Sequence, residues 1–344
     1  MQFLKGGLGS CLVAAMVWSW LSAAGAAQER IVIVGSGSNV PVHLYQAWTR
    51  EFNAANERVQ VRYLPLGTSQ SVRQISQGIG DFGGGEILLT DAEMHGSKIS
   101  LLAIPVVLVG LVPIYNLPGN PELNFSGDLL AQIYLGIVKN WKDPRIVKLN
   151  PKVELPDLPI RVVHRSPGKG SNYIFTAFLS KTSSQFRTEV GKSPSPHWPL
   201  GLEADRGQDM VEKVAATPGS IGYVDLNFAR NSGLGYGRVE NATGRFVRAT
   251  PAAIEAACVA REDSLPPDFR LDVTNAPGED SYPMASLTWL YVPSSSISTA
   301  RTAALKQFLN WSLQEGQKEA RSLGFAPLPD RVAAKARAAV NSLP

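Results

Sequence analysis

The stretch Ile31-Val32-Ile33-Val34-Gly35-Ser36-Gly37-Ser38-Asn39-Val40-Pro41 decides the reading of this chain. Four β-branched residues in a row predict a strand buried on both faces. Residues 35–39 read as a turn, and Pro41 suits the first turn of a helix. Leu44, Tyr45, Trp48 and Phe52 then recur at spacings of three and four, the period of one apolar helix face. Strand, glycine-serine turn and helix together form the repeating unit of an α/β fold.

The unit recurs downstream. Residues 59–63 alternate as a strand, and Gly67-Thr68-Ser69 leads into a helix through Val72, Ile75 and Ile79. Residues 81–86, Asp-Phe-Gly-Gly-Gly-Glu, read as a glycine-rich break, and residues 104–112 as an apolar strand interrupted by Pro105 and Gly110. Residues 128–134 have a helical pattern, and the proline-rich residues 144–159 read as loop or linker. Residues 160–164 predict a strand, 165–171 a turn and 173–179 a helix. A late strand at 288–292 and helices at 300–313 and 316–323 complete the pattern. The expected class is α/β with a parallel-rich sheet.

Upstream, Lys5 is the only charge before Glu29, residues 12–18 are apolar, and the segment closes in Ala23-Ala24-Gly25-Ala26-Ala27. That is a cleaved export signal over residues 1–27, with cleavage after Ala26 or Ala27 fitting equally. A membrane anchor needs about 20 apolar residues, and Ser10, Ser19 and Ser22 interrupt this stretch. Cys11 lies in the signal, so the mature chain keeps Cys258 alone and forms no internal disulfide; Cys258 is expected as a buried apolar residue. The net charge is +4 and the basic residues are scattered, which argues against a nucleic-acid partner. The four histidines stand far apart without an HExxH spacing, so neither a metal site nor a cofactor is expected.

Three loops carry chemistry: residues 35–39, 67–71 and 165–171. Each runs from a strand through Gly and Ser/Thr into a helix, whose first N–H groups are unpaired and carry partial positive charge. Glycine lets an anion approach that backbone closely. The hydroxyls of Ser38, Thr68 and Ser171 can either donate to anion oxygens or cap the helices themselves. Arg165 adds a flat fork of donors suited to a tetrahedral oxyanion. A dinucleotide GxGxxG would need glycine where Val40 stands, and no GxxxxGK[ST] occurs.

These residues, with Tyr45, Trp48, Val72-Arg73-Gln74-Ile75, Asp81-Phe82-Gly83, Ile133-Tyr134-Leu135-Gly136, Val163-His164-Arg165-Ser166, Pro218-Gly219-Ser220-Ile221-Gly222-Tyr223-Val224, Gly316-Gln317-Lys318 and Leu323-Gly324-Phe325-Ala326-Pro327-Leu328-Pro329, make the chain resemble a known family. It is similar to the periplasmic phosphate-binding receptors of the phosphate-specific ABC importer. The resemblance implies a type II periplasmic-binding-protein fold: two α/β lobes, two hinge crossings and a ligand cleft. Domain I would hold 28–105 and 283–344, and domain II 106–282. It implies capture of phosphate or a similar oxyanion by hinge closure in the periplasm, and delivery to membrane importer subunits. A monomer suffices for such closure. Ser38, Asn39, Val40, Thr68, Glu86, Arg165, Lys169, Gly170 and Ser171 fall on the family's ligand-binding positions. Asn39-Val40 stands where the family usually has Thr-Phe, Thr68 where it has serine, Glu86 where it has aspartate, and Gly168-Lys169-Gly170-Ser171 where it has Gly-Ser-Gly-Thr.

An ionised carboxylate only accepts hydrogen bonds. Hydrogen phosphate or arsenate can donate a proton to it, whereas sulfate meets bare like-charge repulsion. Glu86 either takes that part or pairs with Lys169. A different class of function, a secreted phosphatase using Ser38 or Ser171 as nucleophile, lacks an identifiable base: there is no GxSxG elbow, and His164 alternates away from Arg165 along a strand. A sensory protein on the same scaffold is a third reading.

Overall fold

The computed structural model describes residues 30–295 and 298–344; the expected export signal, residues 1–27, lies outside the described residues. The strand Ile31–Gly37 pairs in parallel with Val59–Leu64 on one side and with Phe82–Gly85 on the other. The late strand Ala285–Pro293 then runs antiparallel between Phe82–Gly85 and Leu101–Tyr115. Beyond it lie Ser220–Asp225, antiparallel to Leu101–Tyr115, and then Arg161–Arg165 and Leu202–Ala204 in parallel. The sheet is parallel at both ends and antiparallel in the middle, which corrects the parallel-rich expectation.

Leu101–Tyr115 is one strand of 15 residues, buried along almost its whole length. It changes partner between Gly110, opposite Ala285, and Leu111, opposite Asp225. Pro105 does not interrupt it. The register against Ala285–Pro293 shifts between Thr288 and Trp289, where Val107 and Pro105 are the successive partners, so a bulge accommodates the missing N–H.

The glycine-rich break is a central strand, Phe82–Gly85, every residue of it buried. Its glycines serve packing. A Cβ at Gly83 would stand 2.7 Å from Ile75 Cγ2, and one at Gly85 2.0 Å from Thr68 Cγ2. The helix Thr68–Ser76 therefore lies directly on this strand, and only glycine permits that approach. Inside the expected loop 144–159 a short helix forms, Pro144–Leu149, because Asp143 accepts the Arg145 N–H (2.9 Å), Pro144 occupies the first turn and Ile146 is buried. A last helix, Asp330–Asn341, buries Val332, Ala336 and Val340 against the rest of the fold. Cys258 is fully buried, as expected, and burial pushes its thiol up to about 12.

Candidate anion-binding site

Three helix starts converge here: Val42–Ala55, Thr68–Ser76 and Gly170–Thr182. None has a side-chain cap. Pro41, Gly67 and Lys169 precede them, and no side chain of the three accepts a first-turn N–H. The loops hold one another. Ser38 N–H donates to Gly84 O (3.0 Å), Gly67 N–H to Gly37 O (2.8 Å) and Ser69 N–H to Gly168 O (3.1 Å). The choice left open by the sequence is thereby narrowed: Thr68 and Ser171 do not cap their own helices.

Glu86 follows the strand Phe82–Gly85 and is completely buried. Its Oε2 accepts from Thr68 Oγ1 (3.1 Å), and its Oε1 from Thr288 Oγ1 (3.5 Å). Burial raises the carboxyl to about 7, while hydroxyls of Ser38, Thr68 and Thr288 oppose that rise by stabilising the ionised form. Across from it stands Gly170. A Cβ there would lie 1.8 Å from Glu86 Oε2 and 2.8 Å from Thr68 Oγ1. Glu86 thus reaches the start of the helix Gly170–Thr182.

Arg165 ends its strand and is 3% exposed. Its Nε donates to Ala204 O (3.2 Å) and its Nη2 to Asp205 O (2.6 Å). Among the described residues no carboxylate comes within salt-bridge distance of it. Burial holds its pKa below the ordinary value. A buried guanidinium without a carboxylate partner is costly unless a ligand supplies the charge. Lys169 does not pair with Glu86; its Nζ meets Asp205 Oδ1 at 2.7 Å, and that ammonium holds the Asp205 carboxyl below its usual range. Ser171 is 1% exposed and its Oγ has no hydrogen-bond partner among the described residues. Such an orphan calls for an acceptor.

Asn39 and Val40 stand differently from the rest. The Val40 N–H donates to Ser38 Oγ (3.0 Å), and Val40 is buried. Asn39 is half-buried and lines an outer cleft of about 300 Å³ with Val42, His43, Arg206 and Phe228. Ser38, Thr68 and Gly170 thus stand against Glu86, Ser171 follows Gly170 in the chain, Arg165 feels the Glu86 charge, and Lys169 is tied to Asp205.

Sequence reasoning missed the residues that hold this arrangement. Asn172 Nδ2 donates to the carbonyls of Arg165 (3.3 Å), Ser166 (2.8 Å) and Pro194 (3.1 Å). The Tyr223 hydroxyl donates to Asn172 Oδ1 and accepts the Arg165 N–H (3.1 Å). The Tyr223 contacts span more than fifty residues, and no local pattern signals them. Asp225, also buried, is raised to about 7, first by burial and then by the Glu86 charge. His164 stacks on Trp198 (5.7 Å between ring centres), and burial lowers its pKa.

A model of the PBP superfamily domain matches residues 22–315. The chain is 33% identical over 305 residues to the phosphate-binding protein PstS of Xylella fastidiosa, covering 88% of this chain and 82% of that one. It is 30% identical over 311 residues to the phosphate-binding protein PstS of Pasteurella multocida, covering 89% of each. Among solved structures, the phosphate-binding protein of Stenotrophomonas maltophilia aligns with a TM-score of 0.66 at 16% identity, over 89% of this chain and 93% of that one. This last likeness is one of fold, and the fold is that of the type II periplasmic binding proteins.

Proposed function

Because the chain belongs to the PstS family of phosphate-binding proteins, we propose that it captures phosphate in the periplasm and passes it to an ABC-type importer. It acts as a binding protein and not as an enzyme. Two lobes, residues 28–105 with 283–344 and residues 106–282, close on the anion, and the strand Leu101–Tyr115 carries the chain from one to the other. Phosphate oxygens take the first-turn N–H groups of the three uncapped helices, the hydroxyls of Ser38, Thr68 and Ser171, and the Arg165 fork. Glu86 accepts the proton that hydrogen phosphate retains and so disfavours sulfate.

The observation that carries this reading is the pairing of a buried, carboxylate-free arginine with an orphaned buried hydroxyl at one uncapped helix start. A hydrolase reading finds little support, since His164 is packed on Trp198 and its Nδ1 lies 3.2 Å from a backbone carbonyl. Calorimetric titration with phosphate, arsenate and sulfate tests the proposal. Heat with phosphate and arsenate but not sulfate is expected; no heat with any oxyanion would refute it.

A further inference from the structure

We propose that Asp205 is a positioning residue for the anion site: it fixes both Arg165 and Lys169, and by pinning Lys169 across the start of the helix Thr68–Ser76 it slows release of a bound anion. The inference rests on the oxyanion reading above and concerns the kinetics of that same site.

The first observation is that Asp205 serves two cations at once. It directly follows the strand Leu202–Ala204. Its backbone carbonyl accepts from Arg165 Nη2 (2.6 Å), beside the Ala204 carbonyl that accepts from Arg165 Nε (3.2 Å). Its carboxylate Oδ1 meets Lys169 Nζ at 2.7 Å. The second observation is where that contact holds the lysine. A Cβ at Gly67 would stand 3.5 Å from Lys169 Cδ and 3.6 Å from its Nζ. The lysine stem therefore lies across the residue that opens Thr68–Ser76. Its side chain is 13% exposed, whereas that of Asp205 is 61% exposed. The third observation is that the backbones beneath are already clasped. Ser69 N–H donates to Gly168 O (3.1 Å), and a Cβ at Gly168 would lie 3.3 Å from Ser69 Cβ. Residues 168–170 thus sit on residues 67–69, with the lysine stem as a bar over the seam. In the lobes proposed above, the two stretches belong to opposite sides of the cleft. A free lysine side chain samples many rotamers, and an ion pair that selects one of them keeps the bar in place.

Asp205→Asn keeps the carbonyl that holds Arg165 and removes the charge that holds Lys169. Lys169→Met keeps the stem and removes the ammonium. Each should release phosphate about fivefold faster, with the association rate unchanged. Because both break the same contact, the double variant should release no faster than either single one. Asp209→Asn removes a neighbouring carboxylate that pairs with Arg206 (3.2 Å) and not with Lys169, and should leave release as it is. Rapid filtration of the mature chain, loaded with radiolabelled phosphate and chased with unlabelled phosphate, reads these rates, and thermal melting confirms that each variant folds. Release from folded Asp205→Asn at the parent's rate overturns the inference, as does equal acceleration by Asp209→Asn. So does tighter binding by Asp205→Asn beside weaker binding by Lys169→Met, the pattern of two opposite charges acting on the anion from a distance. If the parent binds no phosphate, the oxyanion reading itself falls, a result distinct from parent and variant releasing phosphate alike.

Discussion

Helices begin in two ways in this protein. Elsewhere in the fold, Ser126, Ser183 and Thr250 each turn a side-chain oxygen onto the first turn of the helix they open; Leu129 N–H donates to Ser126 Oγ (3.1 Å) and Ala253 N–H to Thr250 Oγ1 (3.1 Å). At the cleft, the helices behind Pro41, Gly67 and Lys169 begin without such a cap. Lack of a cap is not itself the mark, because the helices behind Gln314 and Pro329 lack one too. What distinguishes the cleft is that three bare starts meet around one buried carboxylate and one buried guanidinium. Capped starts use a first-turn N–H on their own cap, whereas these bare starts leave first-turn N–H groups without a side-chain acceptor, as the proposed anion site requires.

The sharpest way to break this contrast is Arg165→Ala. Charge-assisted hydrogen bonds contribute about 1.5–3 kcal/mol each, so calorimetry should show a loss of phosphate affinity of about 100-fold. Next is Gly170→Ala, which places a methyl group on Glu86 Oε2. Overpacking of this kind costs about 1–3 kcal/mol in urea unfolding, and phosphate affinity should fall with it. The capped region should behave in the opposite way. Thr250→Ala is expected to lose about 1 kcal/mol of stability with no change in phosphate affinity. Ser171→Ala, whose hydroxyl has no partner to lose, should leave the melting temperature in place and weaken phosphate binding about fivefold, the worth of about one hydrogen bond.

The smallest expected effect is in pH. Glu86 and Asp225 hold protons up to about 7 in the folded protein, against ordinary values of 4.5 and 3.8. Their protonated forms favour the fold fully below about pH 4, and that contribution is lost as pH rises through about 7. Melting temperatures measured from pH 4 to 8 should therefore carry a falling component, reduced in Glu86→Gln. An unchanged profile in that variant would remove Glu86 as its source.

The proposed site can be read from the sequence wherever its chemistry is written in turn residues. Gly35 to Asn39, Gly67 to Ser69 and Arg165 to Ser171 stand between strands and helices, and their residue types suit the oxyanion proposed for them. Elements whose form depends on distant partners were not legible. Phe82–Gly85 reads as a break because glycine usually marks one; it becomes a strand because Thr68 and Ile75 press onto it from a helix. The 15-residue strand reads shorter because a bulge against residues far along the chain is what carries it past Pro105. Asn172 and Tyr223 hold Arg165 in place through contacts that no local pattern shows.

The strand Ala285–Pro293 sits between Phe82–Gly85 and Leu101–Tyr115, two strands made much earlier in synthesis. Until it emerges, the sheet that starts at Ile31 has an open seam, with both flanking edges unpaired. Such a long-range closure is slow, since a large loop must be ordered before the pairing rewards it. The sheet that starts at Ile31 therefore stays open until the chain has been made as far as Ala285, whereas the strands that pair beyond Leu111 can form before then. That delay is compatible with the proposed periplasmic role, which requires folding to follow export.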